Sequence, residues 1–215
     1  MSVSVKICGI NSRVALEAAV NHGARFVGFI FYPPSPRYVA PEDAAQLAAL
    51  VPPHVTKVGV FVDPDPVEID DTLLHLPLDV LQFHGTESPR NMDELRLTFR
   101  LPVIKAIKVA EASDVEYARS FEGHADYLMF DAKPPVGQPG LLPGGNALSF
   151  DWQLLAGQNW KTPWFLSGGI HAGNLATAVR QSGATLVDIS SGVEVRPGLK
   201  DPDKIAEFLA LAASL

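Results

Sequence analysis

Two glycine- and serine-bearing segments, FLSGGI at residues 165–170 and VDISSGVE at residues 187–194, lie close together late in the sequence. Glycine lets backbone amides approach an anion without a Cβ in the way, and serine adds a hydroxyl donor. Gly168, Gly169, Ser190, Ser191 and Gly192 are therefore candidates to hold a phosphate; the plainer reading is tight turns with serine caps. Two other groups suit proton transfer. Cys8, the sole cysteine, ends the apolar run in KICGI, and Asp131 follows the apolar YLMF. A thiol of ordinary pKa ~8.5 gives a thiolate more basic than a carboxylate, and apolar surroundings favour a protonated carboxyl that can donate. Cys8 and Asp131 could thus form a base and an acid. The alternatives are an inert buried thiol, and a carboxylate that caps a loop or pairs with Lys133.

Three further polar residues are candidates for substrate contact. Arg37, in PPSPRYVA, can grip a carboxylate with two prongs, or it can be an ordinary solvent-facing loop arginine. His84, in QFHG, can hydrogen-bond a ligand or satisfy neighbouring backbone. Asp188 can orient a sugar hydroxyl or buttress a packed interior. No metal site is expected, because the six histidines are scattered without HxxH or HxxxH spacing and without an acidic cluster beside one.

The elements that must position these groups follow from hydrophobic pattern. Short apolar or β-branched runs recur at 3–7, 26–31, 57–62, 80–83, 103–107, 127–130, 164–166 and 186–189. Most are continuously apolar rather than alternating, as in parallel strands covered on both faces. Helices are expected between them. One carries Ala15, Leu16, Ala18, Ala19 and Val20 ahead of Gly23. Others open at Pro41, at Ser88-Pro89, at a capping box of Ser113 and Glu116, over 151–156, over 174–181 and at Asp201-Pro202. In DPDPVEIDDTLLHL the two prolines blur any helix start. Strand and helix patterns alternate with no linker, so residues 1–215 are expected to form a single (β/α)₈ barrel domain, compact beside the ~250 residues common for that fold. The rival, an open doubly wound sheet, usually carries GxGxxG after its first strand, where this chain has CGINSR. In a barrel the C-terminal strand ends form the functional face, and these are Cys8, Phe31, Asp63, His84, Lys108, Asp131, residues 167–169 and residues 190–192.

Composition narrows the partners. Twenty-four acidic against seventeen basic residues give a formal charge of −7, which draws neither nucleic acid nor anionic lipid. No apolar run approaches the ~18 residues of a membrane span. A single cysteine excludes an internal disulfide, and MSVSVKIC lacks the features of a signal peptide, so a reducing cytoplasm is the expected location. The partner is expected to be a small phosphorylated molecule; oligomeric state is not legible.

KICGI at the first strand, the SPRYV loop, QFHG at the fourth, FD at the sixth, LSGGI at the seventh, and VDISSGVE followed by PGLKD at the eighth together resemble the phosphoribosylanthranilate isomerase family of tryptophan biosynthesis. The pieces occur in the family's order over nearly the whole chain. The resemblance implies a cofactor-free Amadori rearrangement with Asp131 as general acid and Cys8 as general base. It also implies that Arg37 binds the anthranilate carboxylate, that His84 and Asp188 contact substrate, and that Gly168, Gly169, Ser190, Ser191 and Gly192 hold phosphate. In PGGNALSFDW, residues 143–152, Ala147 stands where the family pattern has glycine and Leu148 where it has a polar residue. Residues 132–149 are expected to form a lid, or else a passive surface loop. Two other readings fit parts of the pattern: a metal-dependent pentose-phosphate epimerase, which should show metal ligands on several strands, and a non-catalytic sugar-phosphate sensor, which has no need of Cys8 opposite Asp131.

Overall fold

The computed structural model describes residues 3–134 and 144–215. Eight parallel strands close into a barrel in sequence order: β1 (Ser4–Cys8), β2 (Phe26–Ile30), β3 (Thr56–Phe61), β4 (Val80–Phe83), β5 (Val103–Val109), β6 (Tyr127–Ala132), β7 (Trp164–Leu166) and β8 (Leu186–Ile189). The ring is sealed where β1 pairs with β8, and there Lys6 stands opposite Asp188. Every strand lies on an apolar run of the sequence, with ends displaced by at most two residues.

The helices on the outside are α1 (Arg13–Asn21), α2 (Pro41–Ala48), α3 (Pro66–His75), α4 (Pro89–Phe99), α5 (Ala112–Ala118), α6 (Leu175–Ser182) and α7 (Pro202–Ala213). Four of them start with proline, whose missing N–H costs nothing in a first turn. The blurred DPDPVEIDDTLLHL segment resolves the same way: Asp65 caps the Val67 amide, and Pro66 becomes the first helical residue of α3. The expected box of Ser113 and Glu116 is corrected. Glu111 and Asp114 form it instead, two residues earlier, because the Asp114 carboxylate accepts from the amides of Ala110 and Glu111. The 151–156 helix is a single 3₁₀ turn, Trp152–Leu155. After β8 comes an antiparallel hairpin the hydrophobic pattern did not announce, β9 (Glu194–Arg196) with β10 (Leu199–Lys200).

Strand alternation divides the side chains into two sets. Val5, Ile7, Val27, Phe29, Leu81, Phe83, Leu128 and Phe130 face outward and join the helices in the main core. The inward set is a separate cluster that includes Val58, Val60, Val80, Ile104, Ala106, Met129 and Phe165. On β1, Cys8 belongs to this inward cluster, while below it Lys6 is charged and completely buried. Gly28 of β2 makes room for them. A Cβ placed there would lie 3.1 Å from Lys6 Nζ and 3.2 Å from Cys8 Sγ.

Candidate active site

The inward residues at the strand C-terminal ends surround one cavity that opens to solvent at the barrel mouth. Cys8, Arg37, His84, Asp131, Gly168, Gly169, Asp188, Ser190 and Ser191 all line it. The chain thus brings nine of the ten sequence candidates to one place. The tenth, Gly192, is not in the wall; it sits in the turn behind, where a Cβ would strike the Ile170 carbonyl, so it lets the two final turns approach one another.

Those turns have the backbone that their composition invites. Gly168 and Gly169 both take left-handed conformations, φ +85° and +64°. A side chain on Gly168 would crowd the Ala132 amide and Asp131 Oδ1, and one on Gly169 would crowd the backbone of Leu148. Ser190 donates its hydroxyl to the Cys8 carbonyl at 3.0 Å and accepts from Lys200 Nζ at 3.1 Å, which ties the eighth turn to the end of the first strand.

On the acid side, Asp131 Oδ2 lies 3.1 Å from His84 Nε2, and both are buried. His84 Nδ1 faces the Gln82 amide nitrogen at 3.4 Å, while Gln82 Oε1 has no partner among the described residues although it is buried. Gly144 covers this trio closely: a Cβ on it would meet His84 Cε1 at 2.7 Å and Asp131 Oδ2 at 2.9 Å. The pairing of Asp131 with Lys133 is corrected, since Lys133 Nζ goes to Asp114 at 2.7 Å, outside the barrel mouth.

On the base side, charges are buried. Lys6 Nζ donates to Asp188 Oδ1 at 2.9 Å, and Ser167 donates to Asp188 Oδ2 at 3.1 Å. Burial opposes the Lys6 charge, yet Asp188 beside it raises the ammonium's pKa above the ordinary lysine value. Burial also pushes the Cys8 thiol up from its ordinary pKa; Lys6 pulls it back down, Asp188 pushes it up, and Lys200 adds a smaller downward pull.

Arg37 is buried, so the solvent-facing reading is corrected, and so is the free two-pronged grip. Its Nε and Nη2 already donate to Glu194 Oε1 and Oε2, at 2.8 and 2.9 Å, and Nη2 also reaches the Gly145 carbonyl at 3.1 Å. The Nε–Nη2 edge of the guanidinium is thus occupied by the protein itself. Glu194 also accepts from Lys200 at 2.8 Å. Burial opposes its charge, but the Arg37 and Lys200 contacts hold its carboxyl below the ordinary value.

The sequence reading missed Lys6, Gln82, Ser167, Glu194 and Lys200. The signal for Lys6 and Gln82 was present: each precedes a candidate by two residues on a strand, and so shares its inward face. Glu194 and Lys200 meet Arg37 through a hairpin that had no hydrophobic signature. Among the other strand ends, Asp63 accepts from the Thr86 amide at 2.6 Å and so fastens the loop after β4. Of the expected lid, residues 135–143 lie outside the described residues. Its later part reaches the cavity through Gly144, Gly145, Asn146, Ala147 and Leu148.

Comparison with known proteins places this geometry. Residues 5–210 match the family model described as N-(5'phosphoribosyl)anthranilate (PRA) isomerase. The chain is 57% identical to the N-(5'-phosphoribosyl)anthranilate isomerase of Rhodospirillum centenum, over the full length of both. Among solved structures it is similar to the phosphoribosyl anthranilate isomerase of Thermotoga maritima, with a TM-score of 0.87 at 37% identity, covering 99% of this chain and 100% of that one. A structure of such an isomerase in complex with reduced 1-(o-carboxyphenylamino)-1-deoxyribulose 5-phosphate matches with a TM-score of 0.83 at 34% identity, over 99% of this chain and 100% of that one.

Proposed function

The chain belongs to the N-(5'-phosphoribosyl)anthranilate isomerase family, and from that premise we propose that the cavity at the strand C-terminal ends takes the substrate with Asp131 as general acid and Cys8 as general base. The enzyme is an isomerase of tryptophan biosynthesis that converts N-(5'-phosphoribosyl)anthranilate to 1-(2-carboxyphenylamino)-1-deoxyribulose 5-phosphate. The observation that carries the residue assignment is that Cys8 and Asp131, from opposite parts of the ring, line one cavity together with the two glycine- and serine-bearing turns.

The phosphate sits at Gly168, Gly169, Ser190 and Ser191, with Gly192 shaping the turn. Arg37 meets the anthranilate carboxylate through its Nη1 side. Asp131 gives its proton to the furanose ring oxygen; the C1–O bond breaks, and the nitrogen lone pair forms an iminium. The positive nitrogen acidifies the C2 hydrogen, which the Cys8 thiolate removes. The C–H electrons neutralise the iminium, and the resulting enolamine takes a proton at C1 and releases the proton of its C2 hydroxyl to become the ketone. His84 hydrogen-bonds the Asp131 carboxylate once its proton has left, and Asp188 contacts the sugar through its edge of the cavity. No step calls on a cofactor. The chain works as one barrel domain, and we place it in the cytoplasm, where a lone thiol stays reduced. Among the described residues no helix is long and apolar enough to cross a membrane.

Purified protein given phosphoribosylanthranilate in the presence of excess chelator tests the reading. Formation of the deoxyribulose product is expected at the rate seen without chelator. Turnover abolished by chelator and restored by a divalent metal would instead favour a metal-dependent sugar-phosphate enzyme, and binding without turnover a sensor.

A further inference from the structure

Lys6 is a charged residue at the centre of a barrel whose other inward residues at that depth are mostly apolar. Stability alone gives no reason to keep it. A buried ion pair gains little over apolar side chains of similar volume, because desolvation offsets the Coulomb attraction. Its place is more informative. Lys6 and Cys8 are neighbours on the inward face of β1, and the missing side chain of Gly28 leaves the space in which Nζ and Sγ lie side by side. Asp188, its partner across the β1–β8 seam, accepts from the ammonium at 2.9 Å and so holds it in place.

We propose that Lys6 is a positioning residue for the reaction: its buried ammonium, steadied by Asp188, is the counter-ion that stabilises the Cys8 thiolate until it takes up the C2 proton. The inference rests on Cys8 being the base. The other charged or titratable groups around the thiol act in both directions. Asp188 from β8 opposes ionisation, and Lys200 from β10 supports it. Arg37 from the loop after β2, His84 from the end of β4 and Asp131 from β6 line the same cavity, with Glu194 of β9 behind Arg37. Of the cations, Lys6 has the largest influence on the sulfur.

Because the chain has one cysteine, alkylation by iodoacetamide reports on Cys8 alone and requires no turnover. The rate of alkylation is measured against pH in the native protein and in Lys6→Met, with circular dichroism and thermal unfolding as the check on folding. The midpoint is expected to move to higher pH in Lys6→Met, with the rate at pH 8 down about tenfold for each unit of displacement. The pH profile of kcat/KM should move in the same direction. Lys6→Met leaves Asp188 buried without its partner, so the paired variant Lys6→Met with Asp188→Asn carries the test if the single one does not fold. Its midpoint is also expected above the native one, since the ammonium's influence exceeds the carboxylate's. A midpoint in either folded variant that equals or falls below the native value overturns the proposal and leaves Lys6 a packing residue. The outcome is separable from the identity of the base: turnover retained in Cys8→Ser removes the base assignment, whatever alkylation shows about Lys6.

Discussion

Cys8 and Asp131 line the same cavity, yet the strands beneath them give them unlike company. Under Cys8 lie a buried ammonium, a carboxylate and a second lysine, all held by ion pairs across the β1–β8 seam and the β9–β10 hairpin. Beside Asp131 there is an imidazole at 3.1 Å and a glutamine amide behind it, and among the described residues no lysine or arginine pairs with it. On the proposed roles, the base has two lysines that offset part of what burial and Asp188 do to its thiol, while the acid is left with neutral hydrogen-bonding neighbours. If the proposed roles hold, one cavity can run acid and base chemistry together by separating the two environments rather than the two residues.

The comparison breaks first at the reacting groups. Asp131→Asn keeps the shape of the side chain but has no proton to give, and Cys8→Ser replaces the thiolate with a poor base. Each should lower kcat by roughly two to four powers of ten in a fluorescence assay of substrate consumption, with thermal unfolding little changed. Wild-type turnover in either variant would remove that residue from its role.

A smaller effect is expected away from both reacting groups. Arg37→Ala removes a charged hydrogen bond to the substrate carboxylate of about 1.5–3 kcal/mol, so KM should rise about ten- to a hundredfold while kcat is largely kept. A fall in kcat at saturating substrate with KM unchanged would show that Arg37 acts on the chemistry and not on binding.

The smallest effect concerns the loop over the acid side. Ala147 takes φ +57°, a left-handed backbone that costs a residue with a Cβ about 1–2 kcal/mol. Glycine is free of that cost but brings a more flexible unfolded chain, worth about 0.4–1 kcal/mol against it. Ala147→Gly should therefore leave the thermal midpoint level or slightly raised. A clear drop would mean that the Ala147 methyl group makes packing contacts worth more than the strain.

The barrel was legible because both faces of each strand are covered: β1 to β8 all show as apolar runs, and the prolines at 66, 89 and 202 mark helix starts by the same logic of unpaired amides. The site was legible as a set of strand ends, which is why nine candidates met in one cavity. The capping box of α5 was misplaced because it opens on a glutamate, a residue that rarely caps, while Ser113 offered a commoner pattern nearby. Arg37 was misjudged because its partner lies 157 residues away, and a loop arginine carries no mark in its own neighbourhood of what will cover it. Lys6 was passed over inside an apolar run for the same reason: its partner is 182 residues distant.

Those long separations bear on how the protein comes to life. The thiol's lysine is met by β8, its own carbonyl by Ser190, and the arginine by the last hairpin, so this half of the machinery exists only after the chain's two ends have found each other. Closing so large a loop is the entropically late event in assembling such a ring. On the proposed roles, the surroundings of the base are therefore complete only once the β1–β8 seam and the last hairpin are in place.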